Sequence, residues 1–122
     1  MKVYLLLIAI IIVTVIVMVV IFSKPAEGKY DSFAKCLNDN EVKMYGAYWC
    51  SHCKNQKEIF GSSWQYMNYV ECSSPDGKSQ LQVCADANIE AYPTWEFSDG
   101  SRTISEMSFE QLAQKSGCEL PE

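Results

Sequence analysis

The sequence predicts an α/β domain, a small mixed four-stranded sheet with helices on both faces, preceded by one transmembrane helix. Three observations lead there. Val3 to Phe22 is apolar at every position except Thr14 and carries no charge. From Ser23 onward, short β-type runs alternate with helix-type patterns, and turn residues separate them. Of the chain's 3 Trp, 7 Tyr and 5 Phe, all but Tyr4 and Phe22 lie in that second part, enough to build a core and to exclude disorder. The 122 residues hold one domain at most.

A helix over the apolar run spans about 30 Å, the thickness of a bilayer core, and satisfies its own backbone in lipid. Signal peptides have shorter apolar runs, of roughly 7–15 residues, and a small-x-small cleavage site. Here Ser23-Lys24-Pro25-Ala26-Glu27 follows instead. Residues 1–23 therefore read as an uncleaved membrane anchor, 24–29 as a linker and 30–122 as the folded domain. Within the domain, Tyr30 to Leu37 predicts a short helix with Phe33, Ala34 and Leu37 on one side. Val42 to Ala47 predicts a buried strand, with Gly46 weakening its end. A helix from about Cys50 to Phe60 stops or breaks at Gly61-Ser62-Ser63. Tyr69 to Cys72 is a second strand, and Ser73 to Gly77 a turn-rich loop. Lys78 to Asn88 predicts a helix with Leu81, Val83, Cys84 and Ala87 inward. Thr94 to Phe97 and Arg102 to Ile104 flank a hairpin turn at Ser98 to Ser101. Ser108 opens the last helix as N-cap, with Gln111 completing a capping box, and Gly117 closes it. A β-α-β unit makes the first two strands parallel, and a β-β-α unit adds an antiparallel hairpin.

With 10 Lys+Arg against 15 Asp+Glu, the net charge is −5. No basic patch exists to release counterions from phosphate, so nucleic acid is not expected as a partner. The scattered acidic residues read as solvated surface.

The chemistry concentrates at Trp49-Cys50-Ser51-His52-Cys53. Two cysteines two residues apart form a redox dithiol, half a zinc site or a haem attachment site. Haem attachment needs His directly after the second Cys, where Lys54 stands. Zinc needs a second close pair, and Cys72 and Cys84 are too far apart to supply one, so no metal is expected. The redox reading has positional support. Cys50 falls at a helix start, where unpaired N–H groups and the helix dipole favour a negative sulfur. Cys53, one turn on, should be the more buried. Exchange requires that asymmetry, with one accessible thiolate and one resolving thiol. Thiols in such settings have pKa values of about 3.5–7.5. Ser51 and His52, between the sulfurs, are the candidate thiolate-tuning residues, and the plain alternative for His52 is an exposed loop residue. Trp49, Tyr92 and Pro93 are the candidate substrate-binding residues. Pro93 starts a strand, and in cis it would press the preceding backbone toward the dithiol and offer it to an extended client.

The run Lys43 to Cys53 (KMYGAYWCSHC), with Lys57 to Gly61 (KEIFG), Tyr69 to Cys72 (YVEC) and Tyr92 to Trp95 (YPTW), resembles the thioredoxin fold. More narrowly, it resembles the thioredoxin-like domain fused to bacterial and cyanobacterial vitamin K epoxide reductase homologues. The resemblance covers about Phe33 to Gly117. It implies a thioredoxin-like fold, Cys50 and Cys53 as the catalytic pair, and Pro93 as a cis-proline. It also implies an oxidant of secreted or lumenal client proteins, supporting their folding and reoxidised by a quinone-linked membrane partner. No cofactor beyond the redox disulfide is implied, because the quinone belongs to the partner. Cytosolic thioredoxins have Gly-Pro where this chain has Ser51-His52, and a buried Asp where it has Met44, so disulfide reduction is the weaker expectation.

The remaining four cysteines allow three pairings. The favoured one joins Cys72 to Cys84, a short link from the second strand to the next helix, and Cys36 would then join Cys118, tying the first domain helix to the chain's end. Any of the four is otherwise a small buried thiol. Six Cys also bear on location. Lys24, Lys29 and Lys35 follow the apolar run and Lys2 precedes it, a bias that leans toward a cytoplasmic domain. Cysteine density favours an oxidising compartment and decides for a single-pass protein with a non-cytoplasmic domain. The competing functions are a reductase or isomerase fed by a membrane electron donor, and a redox-inert binding or chaperone module.

Overall fold

A computed structural model describes residues 1–22 and 27–122. Residues 24–26 of the expected linker lie outside the described residues. Helix α1 (Lys2–Phe22) is apolar on every side, has no buried residue and is long enough to cross a membrane. The domain follows as α2 (Asp31–Asp39), β1 (Lys43–Gly46), α3 (Ser51–Phe60), β2 (Asn68–Glu71), α4 (Gln82–Asp86), β3 (Thr94–Glu96), β4 (Arg102–Ile104) and α5 (Phe109–Ser116), with a 3-10 helix at Gly61–Tyr66.

The sheet order is β2-β1-β3-β4. β1 and β2 are parallel, with Met44 opposite Tyr69 and Gly46 opposite Glu71. β1 and β3 are antiparallel, as are β3 and β4. This is the four-stranded mixed sheet the sequence predicts. Alternation along β1 sends Met44 into the larger core, with Phe33, Leu37, Phe60, Trp95 and Leu112, and Tyr45 into a smaller one with Cys72, Cys84 and Ile89. α5 begins with the expected capping box, in which Ser108 Oγ accepts from the Gln111 N–H while the Gln111 side chain accepts from the Ser108 N–H, and it ends at left-handed Gly117.

One element is shorter than expected. The helix predicted over 78–88 forms only at Gln82–Asp86, and Val83, expected inward, is exposed. Non-local bonds hold the preceding residues in a loop. Ser73 bridges Gln80, the Leu81 N–H donates to the Cys72 carbonyl at 2.7 Å, and Gln80 Nε2 donates to the Ile89 carbonyl at 2.6 Å. Disulfides join Cys36 to Cys118 and Cys72 to Cys84, with Cα–Cα distances of 5.9 and 5.5 Å.

Candidate active site

β1 runs out at Gly46, and the chain turns through Ala47, Tyr48 and Trp49 into α3. The Cys50 N–H donates to the Ala47 carbonyl at 3.0 Å, which closes the turn and delivers Cys50 as the N-cap of α3. Its sulfur takes the place of a capping oxygen and accepts the Cys53 N–H at 3.3 Å. The helix start and this N–H thus aim positive partial charge at the sulfur. Cys53, inside the first turn, is fully buried, and both thiols are free. Burial, reinforced by the hydrogen bond with Cys50, pushes the Cys53 thiol up to about 12.

Cys50 itself is only 8% exposed, less than the accessible sulfur the sequence suggests. The chain before Pro93 covers it, with the Tyr92 carbonyl 3.8 Å from its sulfur. The Tyr92–Pro93 bond is cis. Trp49 meets the Tyr92 ring edge to face at 6.1 Å, and its Nε1 donates to Ser73 Oγ at 2.8 Å. Tyr48 donates from its hydroxyl to the Pro75 carbonyl. Both rings thus pin the 73–77 loop against the active-site turn. Ser51 is exposed on the first helical turn.

His52 is also exposed, and its Nδ1 pairs with Glu106 Oε1 at 2.5 Å. Asn55 Nδ2 donates to the same oxygen at 3.2 Å. The His52 hydrogen bond leads in holding the Glu106 carboxyl below the usual carboxylate range. Glu106 stays in reach because its neighbour is anchored: buried Gln56 donates to the Met107 carbonyl at 3.0 Å and accepts the Met107 N–H at 2.7 Å. His52, Tyr92, Pro93, Ile104, Ser105 and Glu106 line an open recess of about 470 Å³ beside the dithiol. Exposed Ile104 makes one wall apolar.

Sequence reasoning missed four residues here. Glu106 and Gln56 carried no signal, because their partners lie about fifty residues away in the chain. Tyr69 and Glu71 carried a weak one, since the period of two puts them on one face of β2. Tyr69 donates to Glu71 Oε2 at 2.8 Å, while Glu71 Oε1 accepts the N–H groups of Tyr48 at 3.1 Å and Ser73 at 3.0 Å. Burial first, then the bond to Glu71, pushes the Tyr69 phenol up. With Cys72 and Cys84 bonded to each other, no second thiol pair stands by Cys50 and Cys53 among the described residues, and no cluster of His, Cys, Asp or Glu gathers as a metal site.

A dithiol at a helix start, one sulfur behind the other and both beside a proline-edged strand, defines the class of thioredoxin-fold dithiol proteins. The chain belongs to the thioredoxin family, whose model matches residues 24–116. It is similar to the thiol-disulfide oxidoreductase LTO1 of Arabidopsis thaliana, at 46% identity over 95 residues, 73% of this chain and 24% of that protein. It is also similar to thioredoxin of Ovis aries, at 29% identity over 89 residues, 70% of this chain and 84% of that protein. The chain thus spans about a quarter of the LTO1 length.

Proposed function

We propose that this thioredoxin-family protein is a thiol–disulfide oxidoreductase that works as a membrane-anchored oxidase of client proteins outside the cytoplasm. The observation that carries the reading is the Cys50–Cys53 asymmetry: one sulfur sits at a helix N-cap under a substrate-ready strand edge, and the other is buried with its thiol pushed up to about 12. In the oxidised protein a client thiolate attacks the Cys50 sulfur and the Cys50–Cys53 bond breaks. Cys53 leaves with the electron pair and takes a proton. The client's second thiolate then attacks its own bridged sulfur and expels Cys50. The client gains a disulfide, and the protein holds the two electrons as a dithiol.

The residue beside the client cysteine enters the recess between His52, Pro93 and Ile104. Ser51 and His52 tune the Cys50 thiolate, while Trp49, Tyr92 and Pro93 bind the client chain. α1 crosses the membrane once, with the domain on the oxidising side, a placement favoured by the two further disulfides. A separate membrane protein resembling vitamin K epoxide reductase takes the electrons and passes them to a quinone. The likeness to LTO1 supports oxidoreductase chemistry and leaves that partner as our own assignment.

The reduction potential tests the direction. We expect a value nearer the oxidants, at about −120 mV, than thioredoxin, at about −270 mV. A value at the thioredoxin end overturns the oxidase reading. In membranes, Cys53→Ala should hold clients as mixed disulfides on Cys50, and failure to trap any points to a redox-inert module.

A further inference from the structure

Cys53 gains a proton when the Cys50–Cys53 bond opens and must lose it again when the bond closes. Its sulfur has no contact with solvent. A buried thiol with so little tendency to ionise needs a positioned acceptor at neutral pH. The groups facing it are few. Cys50 stands in front. Lys57 follows one turn on along α3, with its Nζ 3.6 Å from the centre of the Tyr69 ring. Met44, from β1, is apolar. Its partner across the strand pair is Tyr69.

Gly46 brings the phenol and the thiol together. A Cβ at Gly46 would stand 2.9 Å from the Cys53 sulfur and 3.3 Å from the Tyr69 hydroxyl oxygen. The sulfur and the oxygen therefore both border the space beside Gly46 where β1 has no side chain. The phenol's own proton is committed to Glu71 Oε2, at 2.8 Å, which leaves its lone pairs to accept another. Glu71 is partly exposed and borders the 73–77 loop, so its carboxylate has a route to water.

We propose that Tyr69 and Glu71 are the proton relay of Cys53, a role that rests on Cys50 and Cys53 being the exchange pair. When a mixed disulfide on Cys50 resolves, the Cys53 sulfur forms the S–S bond to Cys50 with its electron pair. The partner thiolate leaves with the pair of the broken bond. The Cys53 proton passes to the Tyr69 oxygen as the phenol proton moves to Glu71. Glu71 then releases it to solvent. Opening of the disulfide by a client runs the same transfers backward.

The test uses the full chain in detergent micelles. Reduced protein is mixed with glutathione disulfide, quenched with acid at intervals and weighed by mass spectrometry, for wild type, Tyr69→Phe and Glu71→Gln. Both substitutions are small: Tyr69→Phe removes one hydroxyl, and the amide oxygen of Glu71→Gln still accepts from Tyr48 and Ser73. Far-UV circular dichroism checks that each variant is folded. Both variants should form the Cys50–glutathione adduct within about twofold of the wild-type rate and resolve it about a hundredfold more slowly, the low end of general acid–base effects. The deficit should shrink as pH rises from about 6 to about 9, because hydroxide and buffer bases substitute for the relay. Resolution at the wild-type rate in either variant overturns the relay, and so does a deficit that is the same at every pH, which would mark displaced packing. If wild-type protein forms neither the adduct nor the Cys50–Cys53 disulfide, the exchange-pair reading fails and the relay falls with it.

Discussion

Cys53 is the residue on which the site's chemistry turns, and its ionisation has a consequence for stability. The folded state raises its pKa from the ordinary 9.0 to about 12, chiefly by burial, so the fold favours the neutral thiol. That contribution is fully present below about pH 9. It fades as pH climbs toward 12, because the unfolded chain ionises first and is stabilised relative to the fold. In a Cys50→Ser background the retained Cys53 should make the protein lose stability across that window faster than the Cys50→Ser/Cys53→Ser double variant, as read from urea midpoints. Equal slopes would show that burial does not act on this thiol. Of these residue-scale features, the Trp49–Cys53 string and Tyr92-Pro93 stand out in the sequence because their chemistry is local. Gly46 reads there as a weak strand end. Its actual contribution is room, since a Cβ would sit 2.9 Å from one sulfur and 3.0 Å from the Tyr69 ring. That need arises only once β2 lies alongside β1.

At the scale of elements, the helices that carry their own start and stop signals were legible, and the one held by distant partners was not. Ser108, Gln111 and Gly117 specify α5 within ten residues of chain. The stretch before α4 has helical periodicity, but Gln80 and Leu81 spend their hydrogen bonds on Ile89 and Cys72, so the loop persists until Gln82. α3 is positioned by a similar distant contact. Gln56 is 1% exposed and makes both of its amide bonds to Met107. Gln56→Leu keeps the volume and leaves a buried N–H and C=O unpaired, which should cost about 2–4 kcal/mol. The same change frees the segment bearing Glu106 from α3, so the His52–Glu106 pair should weaken. The measurements are urea denaturation and the NMR titration of Glu106, whose carboxyl should rise toward the ordinary range as the pair weakens. An unchanged midpoint would mean that water satisfies Met107 equally well.

For the molecule as a whole, the parallel β1–β2 pair and the β3–β4 hairpin follow from the alternation of β and α runs, whereas the joining of β3 to β1 rests on tertiary packing. The favoured pairing of the four outlying cysteines, Cys72 with Cys84 and Cys36 with Cys118, is the one the structure shows. The Cys36–Cys118 bond spans 82 residues and closes nearly the whole domain. In the loop-entropy picture, removing it with Cys36→Ala/Cys118→Ala should destabilise the domain by about 4–5 kcal/mol. Thermal unfolding of the oxidised protein measures it. A loss below about 1 kcal/mol would mean that packing alone holds the C-terminus to α2.

Only eight residues separate the end of α1 at Phe22 from the start of α2 at Asp31. Fully stretched, such a tether reaches roughly 30 Å. Under the proposed membrane anchoring, the dithiol would be held to a thin layer above the bilayer. Its encounters with other membrane-bound molecules then become a search over a plane, at effective concentrations that short tethers raise to the order of millimolar. A freely diffusing copy of the same domain would lose that advantage with every sulfur unchanged.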